Sequence, residues 1–197
     1  MREFIYFSRK ARTSANVNES RIDLILRVIL NSFFVSYAVR KDVRLHLVFY
    51  GPEDPPKHIQ IDSNAKIPLM EKDFSIFLKE ILFNYENKKN AEVLQNVHIE
   101  KKSLGKLIEE LKAKDKTLYI LSRKGKDIDA INISENAVFL LGEIPFKELR
   151  RLKRDSEIVS LGKTEYFTSQ AVSILNYILD KRLIMPGELS LDRAPHS

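Results

Sequence analysis

Cysteine is absent from the 197-residue chain, which rules out disulfides, thiolate nucleophiles and cysteine-ligated zinc or iron–sulfur centres. Histidine is scarce. The four residues at positions 46, 58, 98 and 196 show no close helical pairing, so a histidine-based metal site or catalytic triad has no support, while oxygen-ligated Mg²⁺ stays open. Long apolar runs are also missing. The longest, Ile22 to Val39, is broken by Asp23, Arg27, Asn31 and Ser32, short of the roughly 20 apolar residues that cross a bilayer. It reads as a buried helix. The start, MREFIYFSRKARTS, has no continuous apolar stretch of the secretory kind, so a cytoplasmic location and no membrane partner are expected. Neither GxGxxG nor GxxxxGK[ST] occurs, and the dinucleotide and P-loop fingerprints are therefore absent.

What is present suffices for one substantial core: 44% of residues are hydrophobic, and the length suits a single domain over residues 1–197. The formal charge is +6 and 30% of residues are charged. The cationic excess is clustered in Arg9, Lys10 and Arg12, in Arg40, Lys41 and Arg44, and in Lys147, Arg150, Arg151, Lys153 and Arg154. Such clusters fit a polyanionic partner, and each fits a solvated basic surface equally well.

Periodicity gives the elements. Glu3 to Phe7 alternates as a strand does, and Ser8 to Ser20 reads as a mobile loop. Ser20 can cap a helix running from Arg21 to about Tyr37. Val43 to Tyr50 reads as a central strand stopped by GPEDPP, and His58 to Ile61 and Val97 to Ile99 as short strands. Helical spacing of apolar residues marks Glu71 to about Lys88, and Ser103 to about Ala113 with Ser103 as cap. Three short apolar runs, Leu118 to Leu121, Ala137 to Leu141 and Ile158 to Leu161, precede Gly125, Gly142 and Gly162 and look like buried parallel strands. Helices are expected over Phe146 to Arg154 and Phe167 to Lys181, and a frayed tail from about residue 186. The alternation predicts an α/β fold, a mostly parallel sheet with helices on both faces.

Two constellations could carry chemistry. In open α/β sheets ligands bind beyond the carboxyl ends of the strands, where the three glycines fall. The segments FLLGE and VSLGKTEY could wall an adenine with apolar side chains and meet its edge with backbone groups, although strand-end glycines are often simple turn formers. Separately, Asp23, Arg27 and Asn31 recur every four residues and share one face of the first helix. A guanidinium and a carboxylate match the carbonyls and ring N–H of a uridine-like base. The same stripe could be an Asp23–Arg27 ion pair at a surface or subunit boundary.

The segment from Arg21 to Pro56 resembles the N-terminal signature of archaeal tRNA pseudouridine(54) N1-methyltransferases, an R-x-D-x-x-x-R helix, an RxDV strand entry and a GPPxPP loop. Arg21, Asp23, Arg27, Arg40, Asp42, Val43, Gly51, Pro52, Pro55 and Pro56 fit it in order, and MREFIYFSRKARTS is similar to the family's start. LYILSRKGKDI, AVFLLGE and IVSLGKTEYFTSQAVSILNYILDKR correspond more loosely. The resemblance implies a SPOUT fold with a C-terminal trefoil knot, S-adenosylmethionine as cofactor, tRNA as substrate and a homodimer. It implies cofactor contacts at Leu121, Gly142, Leu161, Gly162, Lys163, Thr164, Glu165, Tyr166 and Ala171. Asp23 would orient or accept the N1 proton, Arg21 and Arg27 would hold carbonyl or phosphate oxygens, and Asn31 would join them on the substrate side. An apolar surplus on the last helix, at Val172, Leu175, Ile178 and Leu179, is the sequence's own argument for a dimer.

The chain departs from the family pattern in three places. After Gly142 the family commonly has Asp-His and Gly-Phe, where Glu143, Ile144, Pro145 and Phe146 stand here. An LHADHC-like segment is represented by Tyr166 to Ala171, and a helix-ending His by Tyr37. Two other readings follow: a SPOUT methyltransferase acting on rRNA, and a catalytically inactive RNA-binding dimer.

Overall fold

A computed structural model describes residues 1–15, 21–36, 38–87 and 91–183. Strand β1 (Arg2–Ser8) is buried along its whole length, as a near-continuous apolar run in a parallel sheet requires. It lies at the centre of eight strands. On one side it pairs in parallel with β4 (Val43–Phe49), followed by the antiparallel strands β5 (Lys57–Asp62), β7 (Val97–Glu100) and β6 (Ala91–Leu94). On the other it pairs in parallel with β9 (Ala137–Gly142), then β8 (Thr117–Asp127), then β10 (Glu157–Ser160) at the edge. The short strand β6 had no periodic signal in the sequence.

Helices cover both faces, as the alternation predicts. One core holds α1 (Ile22–Phe33), α2 (Glu71–Asn87) and α5 (Thr168–Leu183) against Phe4, Leu45, Leu47, Ile59 and Phe139. The other holds α3 (Leu104–Ala113) and α4 (Phe146–Leu152) against Ile5, Phe7, Val48, Ile120 and Leu140. Alternation along β1 sends Phe4 and Tyr6 to the first core and Ile5 and Phe7 to the second. Ser103 caps α3 by accepting from the Lys106 N–H at 3.2 Å. No helix among the described residues is long and apolar enough to cross a membrane.

Four expectations need correction. First, α1 ends at Phe33, not near Tyr37. Phe34 is extended (φ −97°, ψ 143°), and Phe34–Val35 (β2) pairs antiparallel with Ala38–Val39 (β3), a small hairpin favoured by its β-branched valines. Its N-cap position is Arg21, which makes no side-chain cap bond. Second, the loop after β1 is pinned in its first part: Ala11 is buried, the Gly51 N–H donates to the Ala11 carbonyl at 3.0 Å, and the Thr13 N–H donates to that of Pro52 at 2.8 Å. Ser20, Tyr37 and the tail from residue 186 lie outside the described residues.

Third, β8 runs past Leu121 to Asp127. Its register with β10 jumps: Ile158 faces Ile120, but Val159 faces Lys126. Residues 121–125 therefore leave the ladder and return to it, and Gly125 marks the return, where a Cβ would stand 2.4 Å from the Val159 carbonyl carbon. Fourth, the apolar surplus on α5 is internal. Val172, Leu175 and Ile178 are buried in the core shared with α1, so they do not argue for a dimer.

Candidate functional site

The carboxyl ends of β8, β9 and β10 enclose a cavity of about 370 Å³. That lies within the ~300–1,000 Å³ of small-molecule sites. Its apolar wall is Leu121, Leu141, Leu161 and Ala171; Gly142, Gly162, Thr164, Glu165 and Tyr166 form the rim. Of the residues expected to contact a cofactor, Lys163 does not line it. It projects from an exposed turn. Ser122, Arg123 and Lys124 do line it, and reading β8 as ending at Leu121 missed them: the excursion from the ladder carries them past the opening. Leu141 and Ser160 come from the FLLGE and VSLGKTEY segments, and Thr168 is a further member without a signal in the sequence.

Two glycines shape the walls. Gly142 has φ +111°, and a Cβ there would stand 2.1 Å from the Phe7 carbonyl oxygen of the neighbouring strand. Gly162 has φ +106° with nothing within 4 Å of a would-be Cβ, so its backbone is presented bare. The Gly162 turn is braced from behind, its N–H donating to the Ser160 hydroxyl at 3.1 Å and its carbonyl accepting from that hydroxyl at 3.0 Å. Open backbone beside an apolar wall suits the edge and faces of an adenine, with Arg123 and Lys124 lining the side formed by the β8 excursion. These residues fit an adenosyl group.

Beside the cavity, on the same face of the sheet, stands Tyr6. Its strand partner is Leu141, and the Glu143 N–H donates to the Phe7 carbonyl at 3.2 Å, which fixes the exit from β9 against the end of β1. Burial pushes the Tyr6 phenol up; a hydrogen bond with Ser8 opposes this, and the carboxylates of Glu143 and Asp23 push it further up. Tyr6 thus links the cavity to the start of α1. The sequence carried one signal for it, a polar-tipped aromatic near the carboxyl end of a central strand.

Asp23 does not pair with Arg27. Its carboxylate takes the Arg21 guanidinium bidentately, Nε to Oδ1 and Nη2 to Oδ2, both at 3.0 Å. That hydrogen bonding holds the Asp23 carboxyl below its ordinary range, so it is ionised at neutral pH. Arg21 and Arg27 are exposed. Asn31 is committed elsewhere: its Nδ2 donates to the Ser169 carbonyl at 3.1 Å, and its own carbonyl accepts from Asn176 Nδ2 at 2.8 Å. Asn31 therefore locks α1 to the first turn of α5, positioning Ala171 without touching the Asp23 side.

A larger groove, about 1,080 Å³, opens at the amino ends of the strands between Arg2, Asp42, Phe139, Leu179 and Arg182. Size does not make it the better site. Its cations are engaged: Arg2 by Asp42 and Asp180, and Arg182 by the Ile128 carbonyl at 2.8 Å. It also lies opposite the ends where open α/β sheets bind ligands.

Comparison with known proteins gives the family. Residues 1–184 match the family described as "Putative SAM-dependent RNA methyltransferase". A tRNA (pseudouridine(54)-N(1))-methyltransferase of Methanopyrus kandleri is 32% identical over 193 residues, covering 91% of this chain and 93% of its own. That of Thermococcus onnurineus is 29% identical over 198 residues, covering 91% and 97%. The fold is similar to that of Archaeoglobus fulgidus Nep1, solved bound to S-adenosylhomocysteine, with a TM-score of 0.66, 11% identity and coverage of 91% and 97%. With a match that spans both the Asp23 helix and the three-loop cavity, the chain belongs to the family of S-adenosylmethionine-dependent RNA methyltransferases.

Proposed function

We propose that this protein methylates N1 of pseudouridine 54 in tRNA, in the cytoplasm, the whole chain acting as one domain. One observation carries the reading: a cavity of cofactor size with an apolar wall lies on the same face of the sheet as α1, whose first turn presents an ionised carboxylate between two exposed arginines. The activity for which the Methanopyrus and Thermococcus relatives are named supports it. When bound, S-adenosylmethionine supplies an electrophilic methyl carbon; N1 forms the new bond to it as the carbon–sulfur bond breaks and sulfur keeps the electron pair. Leu121, Leu141, Leu161 and Ala171 would exclude water around the adenosyl group. Asp23 would accept a hydrogen bond from N1–H and fix the attacking nitrogen. A carboxylate held below its ordinary range is a weak base, so Asp23 acts chiefly by orientation, and the N1 proton leaves along that hydrogen bond to solvent as the N1–carbon bond forms. Arg21 and Arg27 would hold base carbonyl or phosphate oxygens.

We infer further that β8, β10 and α5 complete a trefoil knot, and that two copies pair. The jump in the β8–β10 register, with residues 121–125 passing outside the ladder, supports the knot. The support for pairing is Tyr177 on α5, 62% exposed, with Val35 and Val39 of the hairpin, which Asp180 ties to α5 through Arg40. Light scattering that gave the monomer mass of 22.9 kDa at micromolar concentration would refute pairing.

The departures at Glu143–Phe146 and Tyr166–Ala171 favour one competing reading, an RNA-binding dimer without turnover. Mass analysis of nucleosides after incubating unmodified and pseudouridine-containing tRNA with the protein and S-adenosylmethionine separates them. The proposal expects methylpseudouridine from the pseudouridine-containing tRNA alone. Calorimetric binding of S-adenosylhomocysteine without product favours the inactive dimer, and methylation of rRNA but not tRNA would move the enzyme to the other substrate.

A further inference from the structure

Helix α4 carries a charge pattern that the site above does not use. Lys147, Arg150, Arg151 and Arg154 follow at i, i+3, i+4 and i+7 spacing and so share one face, continued by Lys153 in the 3₁₀ turn after the helix. All five are exposed. The opposite face, Ile144, Leu149 and Leu152, packs into the core beneath α3. Arg151 meets Glu109 at 3.5 Å. Among the described residues, no carboxylate lies within ion-pair distance of Lys147, Arg150, Lys153 or Arg154. The buried and part-buried cations, by contrast, are closely paired, as at Arg2, Arg40, Arg44, Lys57, Lys102 and Lys116. Like charges one helical turn apart repel, which offsets what Arg150 and Arg151 contribute at the helix carboxyl end.

At the head of the same helix stands Phe146, 78% exposed, the most exposed of the large apolar residues described. It lies four residues beyond Gly142, on the segment that leaves the cavity. Unpaired cations track phosphates, and a bare aromatic ring offers a stacking surface to an unstacked base. One ring on a two-turn helix is too little apolar surface for a membrane.

We propose that the outer face of α4 is an RNA-docking surface, in which Lys147, Arg150, Lys153 and Arg154 hold phosphates and Phe146 stacks on a base neighbouring the one that reacts. The inference rests on the reading of tRNA as substrate. Because α4 and Asp23 lie on opposite faces of the sheet, the RNA straddles the carboxyl edge, where Arg9 and Lys10 are exposed directly after β1.

The test is fluorescence anisotropy of a labelled, pseudouridine-containing tRNA across a salt series. It compares the intact protein, the Lys147→Gln/Arg150→Gln/Arg154→Gln variant, Phe146→Ala, and a control with the same charge change at exposed positions elsewhere, Lys66→Gln/Lys72→Gln/Lys114→Gln. S-adenosylhomocysteine affinity reports an intact fold in each. The α4 triple variant is expected to bind about 30-fold or more weakly with a salt slope shallower by about two, and Phe146→Ala about tenfold more weakly. The control is expected to lose about threefold or less. Equal losses in control and α4 variants, or no loss in either, would overturn the assignment. Docking and reaction separate cleanly. If tRNA binds in the α4-dependent way but is never methylated, the proposed reaction falls and the surface stands; if the α4 variants methylate with unchanged kcat/KM, the surface falls and the reaction stands.

Discussion

The two ends of the parallel strands treat charge in opposite ways. At the amino ends, Arg2 and Arg40 are largely buried and converge on Asp180: Arg2 reaches it at 2.5 Å, and Arg40 grips it bidentately at 2.9 and 2.7 Å, while Arg2 also reaches Asp42 and Asn176. The interior continues the pattern. A ladder crosses the sheet from Lys116 to Glu3, His46, His58 and Glu100, with successive contacts of 2.8, 2.8, 2.8 and 2.9 Å. At the carboxyl ends, by contrast, Asp23 has a single exposed partner; Arg27, Lys147, Arg150 and Arg154 have no carboxylate within ion-pair distance among the described residues; the pairs Arg123–Glu165 and Arg151–Glu109 are exposed and 3.5 Å long; and the glycine backbone is bare. Buried charges must be matched internally, because unmatched ones cost several kcal/mol. Charges at a ligand edge can wait for the ligand to match them. Function is therefore to be sought where valences are left open, even though the wider groove lies at the closed end.

Breaking the closed end gives the largest effect. Asp180→Ala strands the Arg40 guanidinium, which has little access to water, and leaves Arg2 with only Asp42 and Asn176; it should cost about 3 kcal/mol, at the low end for a broken buried pair because Asp180 is itself 40% exposed. Urea unfolding measures it. S-adenosylhomocysteine affinity of the folded protein should be unchanged, since the two ends are separate; a parallel loss of affinity would erase the contrast.

The open end should respond in activity alone. Asp23→Asn removes an ionised carboxylate that stability does not need, so the melting temperature and cofactor affinity should hold while single-turnover methylation of pseudouridine-containing tRNA falls about 10²-fold. Arg27→Ala should weaken tRNA binding with the fold intact. Wild-type methylation by Asp23→Asn would return the Arg21–Asp23 pair to an ordinary surface bridge.

The smallest effect sharpens the comparison through pH. Burial pushes His58 down to about 4, and His46 is likewise pushed down by burial. A group whose folded value is depressed stabilises the fold above its unfolded value and loses that contribution as pH falls. With an unfolded histidine near 6.5, lowering pH from 6.5 to 5 should cost about 1–2 kcal/mol, because the unfolded chain takes up the proton first. Glu3 and Glu100, both held at about 2, extend the loss below pH 4.5 in the same direction. Urea midpoints across this range in intact protein and His58→Gln read it out. The variant should show the shallower slope; an identical slope would locate the sensitivity outside the ladder.

Much of the site was legible because it is built from local signals. The apolar runs before Gly142 and Gly162 end at the cavity, the run before Gly125 passes it within β8, and Leu121, Gly142, Leu161, Gly162 and Ala171 line it. Lys163 failed because sequence adjacency to Gly162 says nothing about which way a turn residue points. Val172, Leu175 and Ile178 read as surplus on the periodicity of one helix, which does not reveal a second helix packed across it; α1 buries them.

The sequence alone determined the class of fold, the order of most elements, the family and the stretch of chain that makes the cavity, since all of these follow from spacing, composition and motif. Tertiary structure decided the partners. Arg21 won Asp23 from Arg27, Ser169 claimed Asn31, the β2–β3 hairpin cut α1 short, and the β8 excursion delivered Ser122–Lys124 to the cofactor cavity. The physical reason is that periodicity fixes which face a residue occupies. What it meets there depends on register and packing between segments far apart in the chain, and Asn31 and Ser169, 138 residues apart, are joined by nothing that either segment encodes by itself.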